Sequence, residues 1–217
     1  MGWNRYAIYW LPDGALARVG AAWLGWDVRR GSAVPGADAA TDGPRRYGFH
    51  ATLKPPFRLQ GSESDLVGAA TALARSLPAV GPQPLEVENL GRFLAIRPKD
   101  DAPARRLAAD FVEGLDSFRV PSTPEDLARR RAAGLTAAQD ALLVRWGYPY
   151  VMDEHRLHLT LTGPNPPEGS EARARAHFED VLSGPHGIAS VALVGEDAEG
   201  RFHLIHDLPL RPHAAGP

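Results

Sequence analysis

Hydrophobic and polar residues follow two different periods along this chain, and each change of period marks an element. RYAIYWLP is a β-rich run stopped by proline and predicts a strand. DGALARVGAAWLGWD places Leu16, Val19, Trp23 and Trp26 at helical spacing, with Asp13 as N-cap. Residues 29–46, rich in Gly, Pro, Ala and Asp, predict a long loop. YGFHATL returns to strand periodicity and is expected to end at Pro55-Pro56. Ser62 then caps a helix with Leu66, Ala70, Leu73 and Leu77 on one face. PLEVENL and GRFLAIRP predict a hairpin turning around Asn89 to Gly91.

From 101 to 146 the pattern is helical throughout. One helix carries Leu107, Phe111, Leu115 and Phe118 in phase. A second is announced by Thr123-Pro124-Glu125-Asp126, and a third runs from about Thr136 to Trp146. HRLHLTL predicts another strand, EARARAHFEDVL a short helix, IASVALVGEDAEGRFHLIHDLPL a second strand pair, and PHAAGP a tail.

Strand, helix and strand pair therefore occur in that order twice. A shift of 108 lays HATLKPPFRLQGSE on HLTLTGPNPPEGSE without a gap, and seven of the fourteen positions agree: His50/His158, Thr52/Thr160, Leu53/Leu161, Pro56/Pro164, Gly61/Gly169, Ser62/Ser170 and Glu63/Glu171. A shift of 109 lays GRF at 91–93 on GRF at 200–202. The shared histidine, helix cap and hairpin point to an internal duplication. The expected organisation is a single bilobal domain over 1–217, with a first half at about 47–98, a helical insertion at about 101–146 and a second half at about 155–208.

Side chains alternate faces along a strand. His50, Thr52 and Lys54 should share one face, opposite Phe49, Ala51 and Leu53. In the second copy Arg156, His158, Thr160 and Thr162 should share a face opposite three leucines. If a pseudo-twofold relates the halves, two polar faces can line one cleft with a histidine on each side. Opening a phosphodiester requires deprotonation of a nucleophile on one side of phosphorus and protonation of a leaving alkoxide on the other. Imidazole, with a reference pKa of about 6.5, can do either. The hydroxyls of Thr52 and Thr160 can donate to the non-bridging oxygens, where charge develops. This scheme requires no metal and no cofactor.

Paired H-x-T motifs, each followed by an apolar residue, in duplicated halves resemble the two-histidine (2H) phosphoesterase superfamily. That superfamily includes RNA 2′,3′-cyclic phosphodiesterases and bacterial 2′-5′ RNA ligase-like proteins. RYAIYW, WLGWD and YGFHATLKPPFRL look most like a bacterial branch associated with phosphonate-utilisation operons. The resemblance implies an α+β, bilobal fold with two antiparallel sheets, outer helices and a central cleft between them. It implies His50, Thr52, His158 and Thr160 as the catalytic set. The helical stretch at 101–146 departs from the family pattern.

Lys54 and Arg156 flank the histidines and are candidates to bind phosphate, with strand-end solvation as the plain alternative. Tyr6 is the candidate from the first strand; Tyr6 and Tyr9 cannot both reach the cleft, because their spacing is odd. Arg58 follows two prolines, so its direction cannot be read. Arg129-Arg130-Arg131 lies beside Glu125 and Asp126 and reads as a solvated helix face. His155/His158 and His203/His206 are three apart, which on a strand points their rings oppositely, against a zinc site. His177, His186 and His213 are assigned no role.

Composition narrows the classes further. With 44% hydrophobic and 23% charged residues the chain reads as a soluble globular protein. Its formal net charge of −2 gives no bulk attraction to DNA or anionic membrane. The absence of cysteine excludes disulfides, thiolate metal sites and a thiol nucleophile, and suits a reducing cytoplasm. MGWNRYAIYWLPDG has no export h-region, and no apolar run has the length of a membrane span. The expected activity is metal-independent cleavage of a phosphodiester, most readily a cyclic one, linked to phosphonate metabolism. The expected partners are a small phosphorylated or cyclic-phosphate substrate, or RNA ends. Two other readings fit the same residues: a non-catalytic module holding a phosphorylated ligand or RNA end, and an accessory protein of phosphonate metabolism.

Overall fold

A computed structural model describes residues 2–212; the expected tail lies, from His213 onward, outside the described residues. In chain order the elements are β1 (Arg5–Trp10), α1 (Gly14–Leu24), β2 (Trp26–Asp27), β3 (Ser32–Ala33), α2 (Asp42–Arg45), β4 (Ala51–Phe57), α3 (Glu63–Ser76), β5 (Val80–Gln83), β6 (Leu85–Leu90) and β7 (Phe93–Pro98). They continue with α4 (Ala102–Gly114), α5 (Pro124–Arg131), α6 (Ala137–Trp146), β8 (Leu159–Thr160), α7 (Ser170–Leu182), β9 (His186–Ile188), β10 (Ser190–Glu196) and β11 (Phe202–Pro209). The fold is mixed α+β with antiparallel sheets. Among the described residues no helix is long and apolar enough to cross a membrane.

Seven strands form one antiparallel sheet in the order β11-β10-β1-β4-β8-β7-β6. The family resemblance implies two sheets; these seven strands instead run as one, whose wings meet at a single residue pair, Ala51 opposite Leu159. The join is narrow because β8 is only two residues long, although HRLHLTL has strand periodicity throughout. Side-chain hydrogen bonds hold the segment before it: the His155 ring donates from Nε2 to the Thr52 carbonyl at 2.9 Å, and His158 Nδ1 donates to the Arg156 carbonyl at 2.7 Å.

The connections cross between the wings. β4, which follows His50, borders β1, and β1 borders the late hairpin β10–β11. β8, which follows His158, borders the early hairpin β6–β7. β5 and β9 form a separate two-stranded sheet in which Val80 faces Ile188. In both Ala51/Leu159 and Val80/Ile188, a residue faces the one 108 positions later.

β1 shows how the layers are sorted. Tyr6, Ile8 and Trp10 join the large core beneath α1, α3, α4 and α7, while Ala7, Tyr9 and Leu11 join a smaller core with Trp26, Val28, Ala192, Val194 and Phe202 on the opposite face. The helical stretch divides in the same way. α4 sinks Ala104, Leu107, Ala108, Phe111 and Val112, so it is part of the core, whereas Leu143 is the one buried residue of α5 and α6. Thr123 and Thr136 each close a capping box at the starts of α5 and α6. The predicted phase through Leu115 and Phe118 ends earlier: Leu115 caps α4, and Phe118 lies in a 3-10 turn.

β4 continues through Pro55 and Pro56 to Phe57, past its expected end. Its pairing with β1 slips twice, between Tyr9/Thr52 and Ile8/Lys54 and again before Tyr6/Phe57. The prolines lie in the second irregular stretch, where no ladder N–H is demanded of them.

Candidate active site

His50 and Thr52 flank Ala51, and His158 and Thr160 flank Leu159. Continuing the antiparallel register from that pair places Thr52 beside His158 and His50 beside Thr160. Each histidine also makes the same backbone bond. His50 Nδ1 donates to the Gly48 carbonyl at 2.9 Å, and His158 Nδ1 to the Arg156 carbonyl at 2.7 Å. A carbonyl can only accept, so the proton is fixed on Nδ1 and Nε2 is left as the titrating atom in both rings. The Thr52 hydroxyl donates to His50 Nε2 at 3.2 Å.

Burial dominates the electrostatics of the pair. It pushes the His50 pKa down to about 4, opposed by the Gly48 hydrogen bond and assisted by the nearby His158. His158 is also lowered, chiefly by burial, with Arg97 assisting. Both rings are therefore neutral at pH 7. Tyr9 stacks on His50 with ring centroids 3.8 Å apart, and Phe93 packs at 5.7 Å from His158.

A cavity of about 460 Å³ opens against this pair, lined by Thr52, Arg156 and His158 together with Pro55, Pro56, Leu90, Phe93, Gln139, Tyr148, Tyr150, Glu154 and His155. His50 is not in the lining and reaches the cavity through its bond to Thr52. Thr160, half-buried and paired with Ala95 on β7, is also outside the lining.

Two expected ligands lie elsewhere. Lys54 is 2% exposed; its ammonium donates to the Val112 carbonyl at 3.0 Å and lies 5.2 Å from the Phe57 ring centroid. The bulge after Thr52 inserts one extra residue, so Lys54 turns to the helix face instead of sharing the His50 face. Val112 is in the last turn of α4, where carbonyls lack helical partners and a cation is favoured. Burial lowers the Lys54 pKa to about 8. Tyr6 also points to the helix side, where its hydroxyl donates to Glu63 at 2.8 Å. Of the two tyrosines Tyr9 lies on the histidine side, buried against the His50 ring, and neither lines the cavity.

The sequence reading missed other residues. His155 is 6% exposed, and its Nδ1 has no hydrogen-bond partner among the described residues. Its strand parity argued against a metal site but could not reveal a bond to Thr52 on β4. Tyr148, Tyr150 and Gln139 come from α6 and the segment after it, and nothing local in their sequence indicates the cavity. Gln139 Nε2 donates to Glu154 at 2.9 Å, joining α6 to the wall.

Residues 52–203 match the family described as "Protein of unknown function (DUF1045)". Two curated relatives carry the name ribose 1,5-bisphosphate phosphokinase PhnN. One, from Janthinobacterium sp. (strain Marseille), is 41% identical over 176 residues, covering 73% of this chain and 38% of the relative. The other, from Laribacter hongkongensis (strain HLHK9), is 35% identical over 211 residues, covering 90% of this chain and 49% of the relative. The chain thus spans less than half the length of either. Among solved structures, TT0787 of Thermus thermophilus aligns over 96% of this chain and 98% of its own, at 16% identity and a TM-score of 0.49.

Proposed function

The chain belongs to the DUF1045 family, and we propose that it is a phosphoesterase that opens a phosphodiester, a cyclic one for preference, by acid–base catalysis between His50 and His158. The observation that carries the reading is the doubled ring geometry: two H-x-T strands side by side, each Nδ1 tied to the carbonyl two residues back and each Nε2 left to titrate. The facing of Ala51 with Leu159 and of Val80 with Ile188 supports duplicated halves about a pseudo-twofold.

In the reaction, one Nε2 takes a proton from water as the water oxygen bonds to phosphorus. The ester P–O bond opposite breaks, and its oxygen takes a proton from the other Nε2. The products are a phosphate monoester and a free hydroxyl. His50, held neutral by burial down to about pH 4, suits the base, and His158 the acid. With substrate bound the Thr52 hydroxyl turns from His50 Nε2 to a non-bridging oxygen, which frees that nitrogen to act; Thr160 donates to the other, and Arg156 at the cavity rim contributes charge. This set requires no metal.

The names of the longer relatives support a link to phosphonate and ribose phosphate metabolism. Opening a cyclic phosphate of a ribose phosphate would supply a bisphosphorylated ribose to such a kinase. Their greater length also favours a second reading, an accessory module working beside a kinase. Turnover decides between the two. Wild-type protein is assayed on 2′,3′-cyclic nucleotides and ribose cyclic phosphates; release of a monoester, lost in His50→Ala and His158→Ala, is expected. Absence of turnover on every phosphodiester would leave the accessory reading.

A further inference from the structure

Beside the histidine cleft lies a second cavity, of about 210 Å³, walled by Arg5, Arg58, Arg119, Arg129 and Arg130. One carboxylate, Asp126, joins this wall, and it is already engaged: Arg58 donates to it at 2.8 Å, Arg129 at 2.7 Å and the Thr123 backbone N–H at 3.3 Å. Behind the wall, Glu196 pairs with Arg5 and Asp116 with Arg119. Five guanidinium charges therefore meet three carboxylates, an excess of two positive charges. Among the described residues no carboxylate lies within ion-pair distance of Arg130, whose guanidinium sits 4.7 Å from the Tyr148 ring centroid. Guanidinium groups stay protonated, so this excess is permanent.

The two cavities share a wall. Pro56 lines both, and Tyr148, which carries Arg130 on its ring, lines the histidine side. Arg5 and Tyr9 lie four apart on β1 and so share a face of the sheet, and Tyr9 is stacked on His50. A shared wall lets one small molecule reach both, with an anion in the arginine cavity and a phosphodiester in the cleft.

Resting on the phosphodiesterase reading of that cleft, we propose that the arginine cavity binds a second phosphate of the substrate, a terminal monoester. The substrate class is then a small sugar cyclic phosphate that also carries a phosphomonoester. A planar guanidinium fork matches phosphate oxygens, and several forks around one small cavity suit a dianion better than the single charge of a diester. The arginines gather around one cavity of about 210 Å³, room for a single phosphate group, which favours a compact ligand.

The test uses the full chain and has two arms. In the first, ribose 5-phosphate is titrated calorimetrically into wild type, Arg58→Gln, Arg130→Gln and the His50→Ala/His158→Ala double variant. Loss of charge-assisted bonds should weaken binding by about 10- to 100-fold in each arginine variant, with the double histidine variant within about 3-fold of wild type. Equal binding in wild type and both arginine variants overturns the proposal. So does an equal loss in the histidine variant, because the monoester would then occupy the cleft. In the second arm, kcat/KM is compared for ribose cyclic phosphates with and without a 5-phosphate. The preference for the phosphorylated form should fall by about 10- to 100-fold in the arginine variants, and an unchanged preference overturns it. If no diester turns over, the acid–base reading fails while the first arm still decides the anion site. A 5′-phosphorylated oligoribonucleotide that binds more tightly than ribose 5-phosphate would replace the compact ligand with RNA. Circular dichroism of each variant separates loss of binding from loss of fold.

Discussion

His50 and His158 carry the same backbone bond but occupy different surroundings, and the difference predicts a pH profile. The value of kcat/KM should fall below about pH 4, as His50 gains a proton and can no longer accept one. It should also fall as pH rises through the His158 value, which lies below the usual 6.5. The optimum is therefore acidic, and His50→Ala should lose the acid limb while His158→Ala loses the alkaline one. Each variant should drop by about 10²- to 10⁴-fold, with the double variant far less than multiplicative. Thr52→Ala and Thr160→Ala should lose about 10- to 10³-fold, since each removes one donor to developing charge. Full activity in folded histidine variants would make the rings bystanders. Lys54 belongs to a different ledger. Lys54→Ala removes a buried stem and leaves the Val112 carbonyl without its ammonium, so urea denaturation should show a loss of about 2–4 kcal/mol. Between about pH 8 and 10.5 the unfolded chain binds more protons at this site than the folded one, so wild-type stability should rise with pH across that window. The variant should lack that rise. Spacing could reveal the two H-x-T motifs, because alternation holds locally around each. It could not place Lys54 or choose between Tyr6 and Tyr9, because a bulge resets parity and only a neighbouring strand reveals it.

At the scale of elements, periodicity identified the helices well and β4 and β8 less well. The caps expected at Ser62 and Thr123 are local chemistry, and each appears in the structure, whereas Asp13 takes the N-cap position of α1 without a side-chain bond. β8 is two residues long because ring-to-carbonyl bonds take over from the ladder, and strand propensity carries no trace of such a substitution. The helical stretch reads as one unit in sequence but splits by burial into a core helix and an outer pair. Phe111→Ala in α4 should therefore cost about 3–5 kcal/mol, while Val144→Ala in α6, at 57% exposure, should stay within about 0.5 kcal/mol. Thermal or urea unfolding of the two variants provides the comparison. Equal losses would mean that α5 and α6 are as integral to the fold as α4.

For the molecule as a whole, an acid–base scheme predicts that turnover survives exhaustive chelation; loss in EDTA with recovery on zinc or manganese would overturn it. The crossed connections of the sheet have a further consequence, which concerns synthesis. β1 is made first, yet one of its two neighbours, β10, begins at Ser190. The early hairpin β6–β7 likewise waits for Leu159 and Thr160 before it joins the sheet. On the ribosome the nascent chain therefore holds unpaired strand edges until residues 190–209 have been translated. Such edges invite pairing between chains. Ribosome-bound intermediates stalled before residue 190 should remain open to protease and to holdase chaperones, and the sheet should close in one late step when the last hairpin emerges.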